Sequence, residues 1–115
     1  MFKGLGQLGD MAKMMKAAQD MQERMARLQD DLGRIVVTGE AGAGLVTASA
    51  SARGELTGLS IDPSILVASE KVMVEDLILA AIKDAQARAR TRAEQEQRRL
   101  LSEMGLPADM PLPPV

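Results

Sequence analysis

Arg88, Arg90, Arg92, Arg98 and Arg99 crowd one short stretch near the end of the chain, with only Glu94 and Glu96 among them. Guanidinium groups at that density can grip phosphate oxygens through charge-assisted hydrogen bonds, and such binding weakens steeply as salt rises. The plainer reading is a solvated helix end whose positive charge complements the helix dipole. A net charge of −2 argues against a globally basic nucleic-acid binder, so a phosphate contact here would be a local patch. Base-edge reading is not expected, because no recognition helix, zinc finger or aromatic stacking platform is visible.

Other chemistry is sparse. The chain has no His, Cys, Trp or Tyr, and Phe2 is its one aromatic residue. That inventory excludes the usual zinc sites, cysteine nucleophiles and the commonest general base near neutral pH. Ser49 and Ser51 have no histidine to activate them, and nothing singles out a lysine as a base. Asp62 precedes Pro63 and reads as a turn former, while Glu75-Asp76 suits the start of a helix. Gly39-Glu40-Ala41-Gly42-Ala43-Gly44 invites comparison with a phosphate loop. The comparison fails, since no Lys-Ser/Thr pair follows and the next residues read as strand, not helix. An enzyme is therefore not expected. Nor is a membrane span, because no apolar run approaches about 20 residues. Lys13 and Lys16 interrupt any apolar signal core, and the lack of cysteine fits a reducing compartment, so a cytoplasmic protein is expected.

The elements that would carry these groups follow from periodicity. Met11, Met14, Ala18, Met21, Met25, Leu28, Leu32 and Ile35 alternate spacings of three and four, which is the apolar seam of a heptad helix. Asp10 is its expected N-cap after Gly4-Leu5-Gly6, and Gly33 its expected stop. On the far face, Lys13, Lys16, Asp20, Glu23, Arg24, Arg27 and Asp30 read as a solvated, salt-bridged surface. From Arg34 the period changes to two. Val46, Ala48, Ala50 and Ala52 alternate with Thr47, Ser49, Ser51 and Arg53, as in a sheet with one face against helices. Short connections make the strands antiparallel, and Pro63 ends the sheet. A second helix is predicted from an N-cap at Ser69, with Val74, Leu77, Ile78, Ala81, Ile82, Ala85 and Ala89 as its apolar stripe. Beyond Ala85 the stripe thins, and the last three turns of the helix look too polar for the sheet and are expected to project or to meet a partner chain. The expectation is a single α+β domain over 1–115. It comprises a helical arm (1–33), a three-stranded antiparallel sheet (34–62), a helix (69–103) and a proline-punctuated, irregular tail (104–115). So thin a core, with one aromatic side chain, favours burial against a second copy. The methionine seam also suits an alternative role, a protein-interaction or assembly factor whose first helix engages a partner protein.

The order of motifs is more specific. Phe2-Lys3-Gly4-Leu5-Gly6-x-Leu8-Gly9 opens the chain ahead of a Met- and Gln-rich helix. Val37-Thr38-Gly39-Glu40-x-Gly42-x-Gly44-Leu45-Val46, Ile61-Asp62-Pro63-Ser64-x-Leu66 and Glu75-Asp76-Leu77-x-x-Ala80-Ala81 follow. The chain resembles the YbaB/EbfC family of bacterial nucleoid-associated proteins over essentially its whole length. The resemblance implies a tweezer-like homodimer in the cytoplasm and nucleoid that binds DNA; held through duplex phosphates, which carry no base information, it is expected to show weak or no sequence preference. It implies no catalysis, metal, organic cofactor, membrane or small-molecule substrate. It also implies that charged residues on protruding helical arms take part. Here these are Lys3, Lys13, Lys16, Arg24 and Arg27 on the first arm, with Arg88, Arg90, Arg92, Arg98 and Arg99 on the last.

Overall fold

The structure, a computed structural model, describes residues 2–110, with side chains from Leu8 onward. The side chain of Lys3 and the end of the proline-punctuated tail, 111–115, lie outside the described residues. The elements run α1 (Phe2–Arg34), β1 (Val36–Ala41), β2 (Val46–Ser51), β3 (Leu56–Ile61) and α2 (Lys71–Glu103), with 3₁₀ turns at Pro63–Ile65 and Ala68–Glu70. The strands form one antiparallel sheet in the order β1-β2-β3, so the α+β reading holds.

Three boundary expectations are overturned, each because a weak local signal yields to a longer pattern. Asp10 does not cap α1, which is already helical from Phe2 and runs through Gly4, Gly6 and Gly9. A glycine costs a helix only about 1 kcal/mol, so it weakens without stopping it. Gly33 does not end α1 either. The helix continues to Arg34, and its terminal carbonyls find donors outside it. Ala52 N–H donates to Leu32 O at 3.1 Å and to Ile35 O at 2.9 Å, while Arg53 Nε donates to Gln29 O at 2.9 Å. Ser69 caps nothing, because it lies inside the 3₁₀ turn that leads into α2, whose N-cap Glu70 makes no side-chain bond. Asp62 is the turn former expected, with Oδ1 accepting from Ser64 N–H at 2.8 Å.

The sheet is held against α2 by small residues. Val46, Ala48 and Ala50 on β2 face Ala81 and Ala85 on α2, all fully buried. On β1, Gly39 allows the closest approach, since a Cβ there would lie 2.6 Å from Ala85 Cα and 2.7 Å from Ala81 O. Helix backbone therefore rests on strand backbone, which side chains of ordinary size would prevent. β3 lies beyond this cover, and Leu56–Ser60 are exposed on both faces. A bulge sets Gly58 opposite Ser49 and Leu56 opposite Ala50, leaving Thr57 as the extra residue.

The far end of α2 corrects a further expectation. Its last turns do not project. Ala93 packs with Leu28, Leu32 and Ala52, and half-buried Leu100 joins them, so the second half of α1 covers this part of α2. Leu101 is also buried. Gly105, at φ +70°, stops the helix: its N–H donates to Ser102 O at 3.0 Å, and Leu106 N–H reaches Leu101 O at 2.9 Å. It is the first half of α1 that projects. Residues 8–20 are all exposed, and the molecule measures 84 × 21 × 19 Å.

The β1–β2 loop places Gly42, Ala43 and Gly44 at φ +64°, +55° and +90°. Only Ala43 carries a side chain in this left-handed run, at a cost of about 1 kcal/mol. Ala43→Gly is expected to stabilise the protein by about 0.5 kcal/mol, once the greater freedom of glycine in the unfolded chain is subtracted. Urea unfolding of the two proteins checks this.

Candidate nucleic-acid interface

The basic residues divide into those neutralised by neighbouring acids and those left free. On α2, Arg88 pairs with Asp84 at 3.2 Å, Arg92 with Glu96 at 3.1 Å, and Arg99 with Glu103 at 3.5 Å and Glu96 at 3.9 Å. On α1, Arg27 sits 3.8 Å from Glu23. All are helical neighbours three or four residues apart, where opposite charges meet without any help from the fold. Among the described residues, Lys13, Lys16 and Arg24 on α1 and Arg90 and Arg98 on α2 have no carboxylate within 4.0 Å. Each of the five is exposed. The candidates thus fall into a paired set of four and a free set of five, with Lys3 outside the described side chains.

The two sets line opposite flanks of α2. Arg88 and Arg92, with Thr91 and Gln95, border a shallow groove against Val37 and Thr38 of β1. Arg90, with Gln86, Glu94 and Gln97, borders a groove of about 530 Å³ against the Ala52-Arg53-Gly54 turn. Arg98 continues that flank toward Leu101 and the returning chain at Ala108–Met110. The larger groove holds one carboxylate, Glu94, and one amide nitrogen, Gln97 Nε2, that is buried without a hydrogen-bond partner. Among the described residues no group of three His, Cys, Asp or Glu side chains is placed to hold a metal ion, and no helix is long and apolar enough to cross a membrane.

Two cations outside the sequence candidates belong in this picture. Lys83 is exposed, has no carboxylate within 4.0 Å among the described residues, and lies seven residues before Arg90 on the same side of α2. That seven-residue spacing was the signal available for it. Arg53 is the opposite case. Its guanidinium packs against Gly33, donates to Gln29 O, and lies 3.9 Å from both Asp30 and Glu55, so it seals the end of α1.

Arg88 belongs to a latch between helix and sheet. Asp84 Oδ2 accepts from Glu40 N–H of the edge strand β1 at 3.0 Å and from Arg88 Nε at 3.2 Å. The backbone donor, aided by the Arg88 charge, outweighs partial burial and holds the Asp84 carboxyl below its ordinary 3.8. A carboxyl depressed in the folded state stabilises fully above its unfolded value, and that contribution is lost as pH falls through the folded one. Asp84→Asn is therefore expected to melt below wild type at pH 7, and the gap should close as the buffer is taken below 3.8. Melting curves across that range give the measurement.

Two long helices around a three-stranded sheet, with exposed cations along both helices that lack a carboxylate within 4.0 Å among the described residues, define a small α+β protein. The chain belongs to the YbaB/EbfC DNA-binding family, whose model matches residues 7–104. It is 38% identical over 98 residues to a nucleoid-associated protein of Desulfotalea psychrophila, a match covering 85% of this chain and 92% of that one. Its fold is similar to the crystal structure of an uncharacterized protein from Helicobacter pylori. The TM-score is 0.60 at 23% identity, covering 79% of this chain and 91% of the other.

Proposed function

We propose that this protein is a nucleoid-associated homodimer that binds duplex DNA through its free helical cations, with weak or no sequence preference. The observation that carries this reading, beside family membership, is the set Lys13, Lys16, Arg90 and Arg98, exposed and without acidic partners among the described residues. A phosphate can claim such a cation without first breaking an ion pair. Contacts of this kind position a protein on the duplex and carry no base information, hence the weak preference.

Dimerisation finds support in the distribution of apolar bulk. Among the described residues, only Leu28, Leu32, Val46, Ile65 and Leu101 are buried apolar residues larger than alanine. Leu56, Leu59, Leu66, Val67, Val72, Met73 and Leu79, around β3 and the start of α2, are all substantially exposed. A single chain leaves more large apolar side chains outside than inside, which a second copy would correct. Gel shifts of unrelated duplexes at several salt concentrations test the binding, with a Kd expected in roughly the micromolar range at low salt and binding lost as salt rises. Failure to shift any duplex at tens of micromolar would overturn it, and a monomer by sedimentation at similar concentration would overturn the dimer.

A further inference from the structure

The apolar seam of α1 outlasts the helix that covers it. Met25, Leu28 and Leu32 pack with Ala93 and Leu100 of α2, but α2 ends at Glu103, beside Arg24 and Leu28. Toward the N-terminus the same seam runs on uncovered. Leu8, Met11, Met14 and Met15 are 63%, 59%, 71% and 64% exposed, and Ala17 and Ala18 are exposed beside them. Methionine side chains left in water along a heptad seam are an unfinished helix interface. We propose that the α1 arms of two copies of this chain pair antiparallel over residues 8–24, with Met11 against the partner's Met21 and Met14 against the partner's Ala18.

Charge selects this occupant and this register. In an antiparallel pair the two positions flanking the seam meet their own kind across the two-fold axis. Here that sets Asp10 opposite the partner's Arg24, twice by symmetry, and brings Met15 and Ala17 against their own copies. Neither Asp10 nor Arg24 has an ion-pair partner within 4.0 Å among the described residues. Sliding the arms one heptad toward the body would set Asp10 against the partner's Asp31. A parallel pair would place Asp10 against Met15 and Arg24 against Gln29, with no charge match. Lys13 and Lys16 stay on the outer side of the chosen pair. The pairing does not rest on DNA binding, although it would link two bodies that each hold DNA.

The chain has no native cysteine, so cross-linking reports the register directly. Full-length Met14→Cys and Ala18→Cys proteins, one of them size-tagged, are mixed and oxidised. The mixed disulfide is expected as a major product. Lys13→Cys mixed with Ala18→Cys is the outward-facing control and should give little. Asp10→Arg in both cysteine proteins should lower the mixed product about fivefold, and adding Arg24→Asp should restore it, because the swapped charges again face each other. All these positions are exposed on one helix, and unchanged circular dichroism would confirm folding. Equal yields from the Met14 and Lys13 mixtures would overturn the proposal, as would a charge-swapped protein that fails to recover.

Discussion

Replacing Lys13, Lys16, Arg90 and Arg98 together with glutamine is expected to weaken duplex binding more than about a hundredfold at low salt. The slope of log affinity against log salt should flatten by roughly one unit per lost contact. Changing Arg88, Arg92 and Arg99 to glutamine, a loss of three charges, should do much less. Those three hold Asp84, Glu96 and Glu103, so removing them frees carboxylates that DNA never had to displace. Newly freed acids near the duplex leave a modest, general repulsion screened by salt. Arg24 is left in place because it is assigned to the arm pair. Fluorescence anisotropy with one labelled duplex at four or five salt concentrations separates the two outcomes. If the paired set costs as much as the free set, the ion pairs open on binding and the division between the sets has no functional meaning.

Gly39→Ala should cost about 3 kcal/mol or more, and Gly39→Val should leave no folded protein at room temperature. The atoms a new Cβ would strike are Ala85 backbone and the Ala81 carbonyl. Backbone inside a helix cannot swing aside as a side-chain tip does, so relief requires α2 to lift away from β1. That movement would also break the bond from Glu40 N–H to Asp84. Gly58→Ala is the matched control on β3, where a Cβ would lie 3.7 Å from Ser49, an ordinary contact. Its effect should stay within about 0.5 kcal/mol of zero. Urea denaturation of the three variants against wild type gives the comparison.

The contrast between these glycines indicates what a sequence can reveal. The seam from Met11 to Leu32 and the alternation from Val46 to Ala52 were legible because hydrophobic period is a long pattern, repeated over many residues. Asp10, Gly33 and Ser69 misled because each is a single residue worth about 1 kcal/mol, less than the packing of the helix it was meant to bound. The burial of Ala93 could not be read in advance, since it depends on α1 folding back along α2. The division of the arginines was partly legible. Asp84 and Arg88, Arg92 and Glu96, and Arg99 and Glu103 are all four apart, so helical spacing alone marks them as partners. Gly39 opens a glycine-rich run, and nothing local shows that it lies under a helix.

The seam where α2 meets the sheet has a thermal consequence. Heat capacity rises on unfolding as hydrocarbon is hydrated, and alanine against glycine offers little hydrocarbon to hydrate. The Ala81, Ala85 and Gly39 contact should therefore contribute less than the usual 12–15 cal/mol/K per residue, roughly, to the heat-capacity change. A protein stitched this way has a broad, shallow stability curve. It should keep more of its stability in the cold, where larger oily cores begin to lose theirs.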